Sequence, residues 1–257
     1  MEPRQTLIAY SIKYGGDWNK IFKAMKAREE IEECYYQAAD TLKCKTLTLL
    51  DSDYPDYLKQ VYKPPIVLYY YGDLSLIRDY QKSISVVGSR NCSDYGVNMT
   101  KSIAGELAAM GYVIISGLAR GIDSVAHQAA IESGGKTVAI LGCGIDNCYP
   151  EENESLCDYL KENHLVISEY PGFTPPQAYH FPIRNRLIAG LSKTLVVTEA
   201  SYNSGSLVTA LLALRGNSDV MCVPHEAGKN SECNRLINNG AALVESAKDV
   251  IEQMSPF

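Results

Sequence analysis

The sequence predicts an α/β protein built on a doubly wound, mostly parallel sheet, with a short N-terminal helical segment in front of it. Three observations carry this reading. After Asp73, apolar runs of four to six residues alternate with helix-length amphipathic stretches, which is the pattern of parallel strands joined by crossover helices. Three of the early runs end in glycine turns: Val86-Val87-Gly88-Ser89-Arg90, Ile114-Ile115-Ser116-Gly117 and Ile140-Leu141-Gly142-Cys143-Gly144. At 257 residues and 46% hydrophobic side chains, the chain is long enough to cover both faces of such a sheet around one large core.

Residues 1–45 read as two or three short helices, because Ile8, Ile12, Ile21, Phe22 and Met25 recur at roughly helical spacing and Gly15-Gly16-Asp17 interrupts them. No chemistry is evident there. The remainder, 46–257, reads as one sheet domain. A short strand at 47–50 is followed by the turn Asp51-Ser52-Asp53-Tyr54-Pro55, and Lys63-Pro64-Pro65 leads into a strand at 66–71. Strands are then expected near 84–88, 112–116, 137–141, 165–168, 194–198 and 219–223, with a further one at 242–244. Helices fit between them at about 95–110, 122–133, 152–163, 184–191, 204–215 and 230–239. Ligands of such sheets bind at the carboxyl ends of the strands, where the glycine turns lie. A residue without Cβ admits phosphate close to main-chain N–H groups, and the helix that follows directs its partially positive end at the same point.

The net charge of −6 is mildly unfavourable for a nucleic-acid binder, but it is unevenly spread. From Tyr170 to Ser218 the only carboxylate is Glu199, against Arg184, Arg186, Lys193 and Arg215. Gln81 to Ser93 carries Lys82 and Arg90 and no acid, while Glu29, Glu30, Glu32 and Glu33 cluster elsewhere. Such segregation builds an anionic-ligand site on an acidic protein, or else reflects core segments that exclude carboxylates anyway. No stretch approaches the roughly 18 to 20 apolar residues of a membrane span, and Met1-Glu2-Pro3-Arg4-Gln5 lacks a secretory pattern, so the expected location is cytoplasmic, with no membrane partner. The eight cysteines (34, 44, 92, 143, 148, 157, 222 and 233) contain no C-x-x-C pair and read as reduced thiols rather than a metal or disulfide framework.

The turns match neither G-x-G-x-x-G nor G-x-x-x-x-G-K-[ST], so neither NAD nor P-loop ATP chemistry is expected, and no cofactor is assigned. In their place stands a donor-rich set: Ser89 and Arg90, Ser116 and Arg120, and Ser201, Asn203, Ser204 and Ser206 around Gly205. Hydroxyls, amides and guanidinium forks hold phosphate oxygens. In His180-Phe181-Pro182-Ile183-Arg184-Asn185-Arg186 an aromatic ring lies beside two arginines, the combination that stacks a base and takes its flanking phosphates. Two other roles stay open at this point: Phe181 as a core plug, and Arg186 paired with Glu199.

These residues resemble a known family. The run Ser116-Gly117-Leu118-Ala119-Arg120-Gly121-Ile122-Asp123 with Ala126-His127, then Leu141-Gly142-Cys143-Gly144-Ile145-Asp146 with Tyr149-Pro150 and Asn153, then Phe181 to Ser192, and finally Glu199-Ala200 with Ser204-Gly205-Ser206-Leu207, is similar to the DNA-processing protein A (DprA/Smf) family from about residue 46 to 245. The resemblance implies an extended Rossmann-like fold that binds and protects single-stranded DNA and helps load the RecA recombinase onto it during natural transformation, commonly as a homodimer and without catalysis. By position, Arg90 would clamp a phosphate, Phe181 would receive a base, Arg184 and Arg186 would line the same pocket, and Gly117, Gly205 and Ser206 would shape its floor. With Gly88, Ser89, Ser116, Arg120, Asn185 and Ser204, these make up the candidate DNA and phosphate site. His225, Glu232 and Arg215 depart from the family pattern, and residues 1–45 lack the Pro-Gly-Ile-Gly-like turn of many relatives.

Two other functions compete: a Rossmann-like nucleotide-binding sensor and a nucleoside-monophosphate phosphoribohydrolase. The hydrolase pattern Pro-Gly-Gly-x-Gly-Thr-x-x-Glu is replaced here by Glu199-Ala200-Ser201-Tyr202-Asn203-Ser204-Gly205-Ser206, with no glutamate after the glycine turn to act on the sugar. His127 reads as a packing residue more readily than as a general base, and Asp123, Asp146 and Glu199 would hold Mg²⁺ only if the fold brought them together.

Overall fold

Burial along the central strands alternates between two cores, one on each face of a nine-stranded sheet. The computed structural model describes residues 2–202, 204–227 and 231–254; Asn203, one of the expected donors, lies outside them. The strands are β1 (Lys45–Thr48), β2 (Val67–Gly72), β3 (Ser83–Gly88), β4 (Val113–Ser116), β5 (Lys136–Ile140), β6 (Leu165–Ser168), β7 (Thr194–Glu199), β8 (Asp219–Cys222) and β9 (Ala242–Leu243), in the order β1-β2-β6-β5-β4-β3-β7-β8-β9. β1 and β2 pair antiparallel, as do β2 and β6; the other neighbours are parallel. The helices are α1 (Pro3–Lys13), α2 (Trp18–Ala27), α3 (Glu33–Asp40), α4 (Asp56–Lys59), α5 (Asp94–Ala109), α6 (Ile122–Glu132), α7 (Glu154–Asn163), α8 (His180–Gly190), α9 (Gly205–Arg215), α10 (Glu232–Asn238) and α11 (Ala247–Gln253).

One face of the sheet, with Val87, Ile115, Ile140 and Val197, is covered by Leu187 and Ile188 of α8, Ala210 and Ala213 of α9 and Leu236 of α10. The opposite face, with Ile84, Val86, Ile114 and Val196, packs on Ile103 and Leu107 of α5, Ile122 and Ala126 of α6 and Val250 of α11. Toward β2 and β6, Tyr69 and Val166 meet Leu7 and Ile8 of α1 and Leu160 of α7. Parallel strands buried on both sides read as continuous apolar runs, which is why their positions were legible in the sequence. α4 and the single 3₁₀ turns at 74–77 and 80–82 are too short to show a helical period, and α11 was not expected from the sequence.

The N-terminal helices have local causes. Pro3 occupies the first turn of α1, where its missing N–H is no loss. The Asp17 carboxylate caps α2 by accepting from the N–H groups of Asn19 and Lys20 at 3.0 and 3.2 Å. Arg4 ties α1 to the start of the sheet by donating to Asp51 (2.8 Å) and to the Thr46 carbonyl (2.8 Å). Among the described residues no helix is long and apolar enough to cross a membrane.

His127 packs rather than reacts. It is fully buried on α6, its Nδ1 lies 2.6 Å from Thr137 Oγ1, and that hydroxyl donates to the Ile114 carbonyl, so the three link α6 to β5 and β4. Burial pushes its pKa from 6.5 down to about 3. The sign of the consequence follows by linkage. Above pH 6.5 neither state binds the proton, whereas at lower pH the unfolded chain protonates and the folded one resists until about 3, so stability falls with acid across that window. We expect this residue alone to cost about 2 kcal/mol between pH 7 and pH 5, read as a lower urea midpoint. His164 and His180, also pushed down by burial, add in the same direction. If His127→Gln loses as much stability as wild type between the two pH values, the loss does not come from His127.

Candidate nucleic-acid interface

The strand order reverses at β3. The chain proceeds from β3 outward through β4, β5 and β6, then crosses by α8 to β7 on the other side of β3. The carboxyl ends of β3 and β7 therefore diverge into a crevice, the topological switch point where ligands of open α/β sheets bind. A cavity of about 710 Å³ opens there. The turn after β3 supplies Gly88, Ser89, Arg90 and Asn91, α8 supplies Phe181, Arg184 and Asn185, the segment after β7 supplies Glu199 and Ser201, and the start of α9 supplies Ser204, Gly205 and Ser206.

α8 starts at His180, four residues before its expected start, so Phe181 and Pro182 lie in its first turn. Proline is tolerated there because the first N–H groups of a helix have no intrahelical partner. This places Phe181, Arg184 and Asn185 on one helical face, at spacings of three and four. The Phe181 ring lies over Gly142, where a Cβ would come within 2.7 Å of it. Tyr149 flanks it with ring centroids 5.5 Å apart, and the Arg90 guanidinium sits 5.3 Å from its centroid. Phe181 is half-buried at the cavity wall and not a core plug. Tyr149 was visible in the sequence only as part of the Tyr149-Pro150 motif; its role beside Phe181 comes from the loop after β5.

Arg184 is a buried brace. Its NH1 donates to the carbonyls of Gly117 (2.7 Å) and Ile140, and its Nε donates to Asn185 Oδ1 (3.1 Å), tying the ends of β4 and β5 to α8. Gly117 is required for this approach, since a Cβ there would lie 2.5 Å from Arg184 NH1. Asp123 is buried nearby, at the cavity wall. Burial pushes its carboxyl up while Arg184 pulls it down, and it accepts from the N–H groups of Gly117 (3.2 Å) and Ala119 (3.4 Å). Asn185 passes the connection on by donating to the Gly205 carbonyl at 3.2 Å. Ser204 and Ser206 join hydroxyls at 2.8 Å at the start of α9, and Ser204 caps that helix with no side-chain bond to its N–H groups. Those N–H groups and the helix dipole make this end of the cavity electropositive.

Four of the expected site residues lie elsewhere. Ser116 is fully buried and donates to the Val86 carbonyl at 2.6 Å, inside the sheet. Gly117 lies behind Arg184 rather than in the cavity wall. Arg120 is exposed and pairs with Glu152 at 3.6 Å. Arg186, expected in the same pocket as Arg184, points to the other side of α8 and is buried in a two-pronged pair with Glu169, both contacts at 2.6 Å, neither in the cavity nor on Glu199. The reason is helical geometry: five residues from Phe181 turn a side chain about 140° away. Ser89 is in place, but its hydroxyl closes its own turn onto Asn91 (3.0 and 3.2 Å).

The charge run from Tyr170 to Ser218 is therefore linear rather than spatial. Of its four cations only Arg184 reaches the cavity, and Arg215 lines a separate one with Tyr57 and Tyr62. Glu199 also lines the first cavity, its carboxylate accepting from the Ser93 N–H (3.0 Å) and hydroxyl (2.7 Å). Asp146 accepts from Tyr71 OH at 2.7 Å, so Asp123, Asp146 and Glu199 are engaged separately; among the described residues no three acidic, histidine or cysteine side chains converge as metal ligands. Glu232 is held by Arg235 at 3.0 Å, outside the wall around Phe181. His225 lies edge-on to Tyr95 with centroids 5.2 Å apart.

A model of the family described as DNA recombination-mediator protein A matches residues 45–255. The chain belongs to that family. The DNA processing protein DprA of Streptococcus pneumoniae is 41% identical over 229 residues, which span 86% of this chain and 80% of that protein. The X-ray structure of DprA from the same species superposes with a TM-score of 0.83 at 35% identity, covering 98% of this chain and 94% of the other. DprA from Helicobacter pylori, whose structure is described for its single-stranded DNA binding mode, superposes with a TM-score of 0.75 at 28% identity, covering 82% of this chain and 95% of that one. Family membership and the Rossmann-like sheet thus agree with the resemblance read from the motifs.

Proposed function

We propose that this chain is a single-stranded DNA-binding recombination mediator, which protects incoming single strands and helps load RecA onto them in natural transformation. It acts in the cytoplasm, as a homodimer and without catalysis of its own. The observation that carries the reading is the Phe181 ring at the switch-point cavity, flanked by the Arg90 guanidinium and facing the start of α9. A ring to stack a base, a guanidinium fork and a helix N-terminus for phosphate are the parts of a single-strand site with little sequence preference. The relatives' names and the Helicobacter pylori structure support the same ligand. The non-catalytic reading is supported by the carboxylates at the cavity, since Glu199 is held by Ser93 and Asp123 by backbone N–H groups. Homodimer and RecA partnership follow from the family resemblance; Val208, Leu211 and Leu214 form an exposed apolar stripe on α9 that suits a protein partner.

The test is fluorescence anisotropy of a labelled dT oligonucleotide of about 35 nucleotides at two salt concentrations, against a duplex of equal length. Salt-sensitive binding that prefers the single strand is expected. Binding of mononucleotides in place of either polymer would favour the nucleotide sensor, to which a cavity of this size is also suited.

A further inference from the structure

The solvent face of α2 is the feature that the cavity leaves unexplained. Trp18–Ala27 contains three lysines and no carboxylate, within a chain of net charge −6. Ile21, Ala24 and Met25 face inward, and the helical period gathers Asn19, Phe22, Lys23 and Lys26 on the outer face. Phe22 is 43% exposed and stacks on Trp18 with centroids 4.8 Å apart. Lys26 Nζ lies 5.7 Å from the Phe22 ring centroid. Lys63 Nζ lies 5.5 Å from those of Trp18 and Tyr62, and it donates to Asn19 Oδ1 at 2.7 Å. Tyr62 is 73% exposed. Of the neighbouring acids, Asp17 caps the helix and sits 3.6 Å from Lys20, Glu29 is held by Lys13 and Tyr14, and Glu30 is exposed just beyond the end of the helix.

This patch adjoins α8, the helix that carries Phe181. Gly16 packs on the Glu169 carbonyl and the Tyr170 ring, where a Cβ would lie 2.5 and 2.9 Å away, and Tyr170 stacks on His180 at 3.9 Å. Trp18 Nε1 donates to the Pro64 carbonyl and Arg186 donates to the Lys63 carbonyl, both at 2.8 Å. Tyr179, just ahead of α8, and Pro182 and Ile183 of its first turn are exposed.

We propose that the α2 face (Phe22, Lys23 and Lys26) with Tyr62 and Lys63 is a second contact surface for single-stranded nucleic acid, which takes up the strand after it leaves the Phe181 cavity. Exposed rings interleaved with lysines stack unpaired bases and hold their phosphates, whereas a duplex keeps its base faces covered. An acidic protein would match the lysines alone; a lipid headgroup layer also takes rings and lysines together, but the continuity of the patch with α8 and the Phe181 cavity favours the strand. The inference rests on the single-strand reading of the cavity and extends its track.

The experiment compares wild type, Lys23→Ala/Lys26→Ala, Phe22→Ala and Arg90→Ala on dT oligonucleotides of about 6 and about 30 nucleotides and on a duplex of the longer length. The substituted side chains are exposed, and urea midpoints confirm folding. For the α2 variants we expect the long single strand to bind roughly 10-fold more weakly, the double-lysine variant to show a salt slope shallower by about 1.4, and the short strand to bind as in wild type. If the α2 variants match wild type on the long strand while Arg90→Ala weakens both lengths, the second surface is wrong and the cavity reading stands. Equal weakening of duplex and single strand, with Phe22→Ala silent, would reduce the patch to a general polyanion contact and overturn it. Failure of wild type to bind any strand would refute the cavity reading itself.

Discussion

Glu169→Ala is expected to destabilise the fold by about 3–5 kcal/mol, because it leaves the Arg186 guanidinium buried without its carboxylate. The two side chains are only 6% and 7% exposed, and both contacts between them are 2.6 Å long. Arg186 also donates to the Lys63 carbonyl at 2.8 Å, so the pair joins α8, the end of β6 and the approach to β2. Removing one partner of a buried pair costs more than the pair contributes, since the remaining charge keeps its desolvation penalty. Urea unfolding measures this, and a loss below about 1 kcal/mol would show that water reaches Arg186. Arg186→Met, combined with Glu169→Gln so that no carboxylate is left buried without its partner, tests the phosphate role expected for Arg186 from its position in the motif. If the protein that remains folded binds dT oligonucleotide as tightly as wild type, Arg186 serves the fold alone; weakened binding would return it to the ligand track.

Arg90→Ala is expected to do the reverse, leaving stability within about 0.5 kcal/mol of wild type and weakening single-strand binding by about 1.5–3 kcal/mol, or roughly 10- to 150-fold. Arg90 is exposed, has no ion pair among the described residues, and holds its guanidinium over the Phe181 ring. The other arginine of the cavity, Arg184, already donates to two strand-end carbonyls, and the cavity's arginines are matched in number by Asp123 and Glu199. On the proposed reading, attraction for phosphate therefore depends on one exposed guanidinium and on the N–H groups of α9 rather than on net charge. Arg90→Lys should fall between the two, since it keeps the charge and loses the planar fork. Phe181→Ala should cost about 1–3 kcal/mol through lost stacking. Wild-type affinity in both Arg90→Ala and Phe181→Ala, each properly folded, would move the binding site away from this cavity.

The parallel strands and their helices were legible in the sequence because each carries a local signal: an apolar run buried on both faces, a glycine turn, a period near 3.6. Phe181, Arg184 and Arg186 were legible as a group only as neighbours along the chain; it is the spacings of three and four within α8 that put Asn185 with Phe181 and Arg184 on one side. The same rule separates Arg186 from them once α8 is known to start at His180 rather than near residue 184, with Pro182 inside its first turn. The functions of the individual cations were not legible. Arg184 and Arg186 are two residues apart and carry the same charge, yet one braces two strand ends and the other is locked to Glu169, through partners 17 to 67 residues away. The N-terminal segment showed helices and nothing more, because its lysine and aromatic face is completed only when Tyr62 and Lys63 fold against it.

The sequence by itself determined the alternation of strands and helices, the glycine turns at the strand ends and the family to which they belong, since these are patterns of neighbours along the chain. The tertiary structure alone decided that the turn at residues 88–90 meets Glu199, Ser201 and residues 204–206 across the reversal at β3, and which arginine there still faces solvent. The physical reason is that a side chain's charge is local, but its partner and its exposure are set by contacts between segments about 100 residues apart, which only the sheet order brings together.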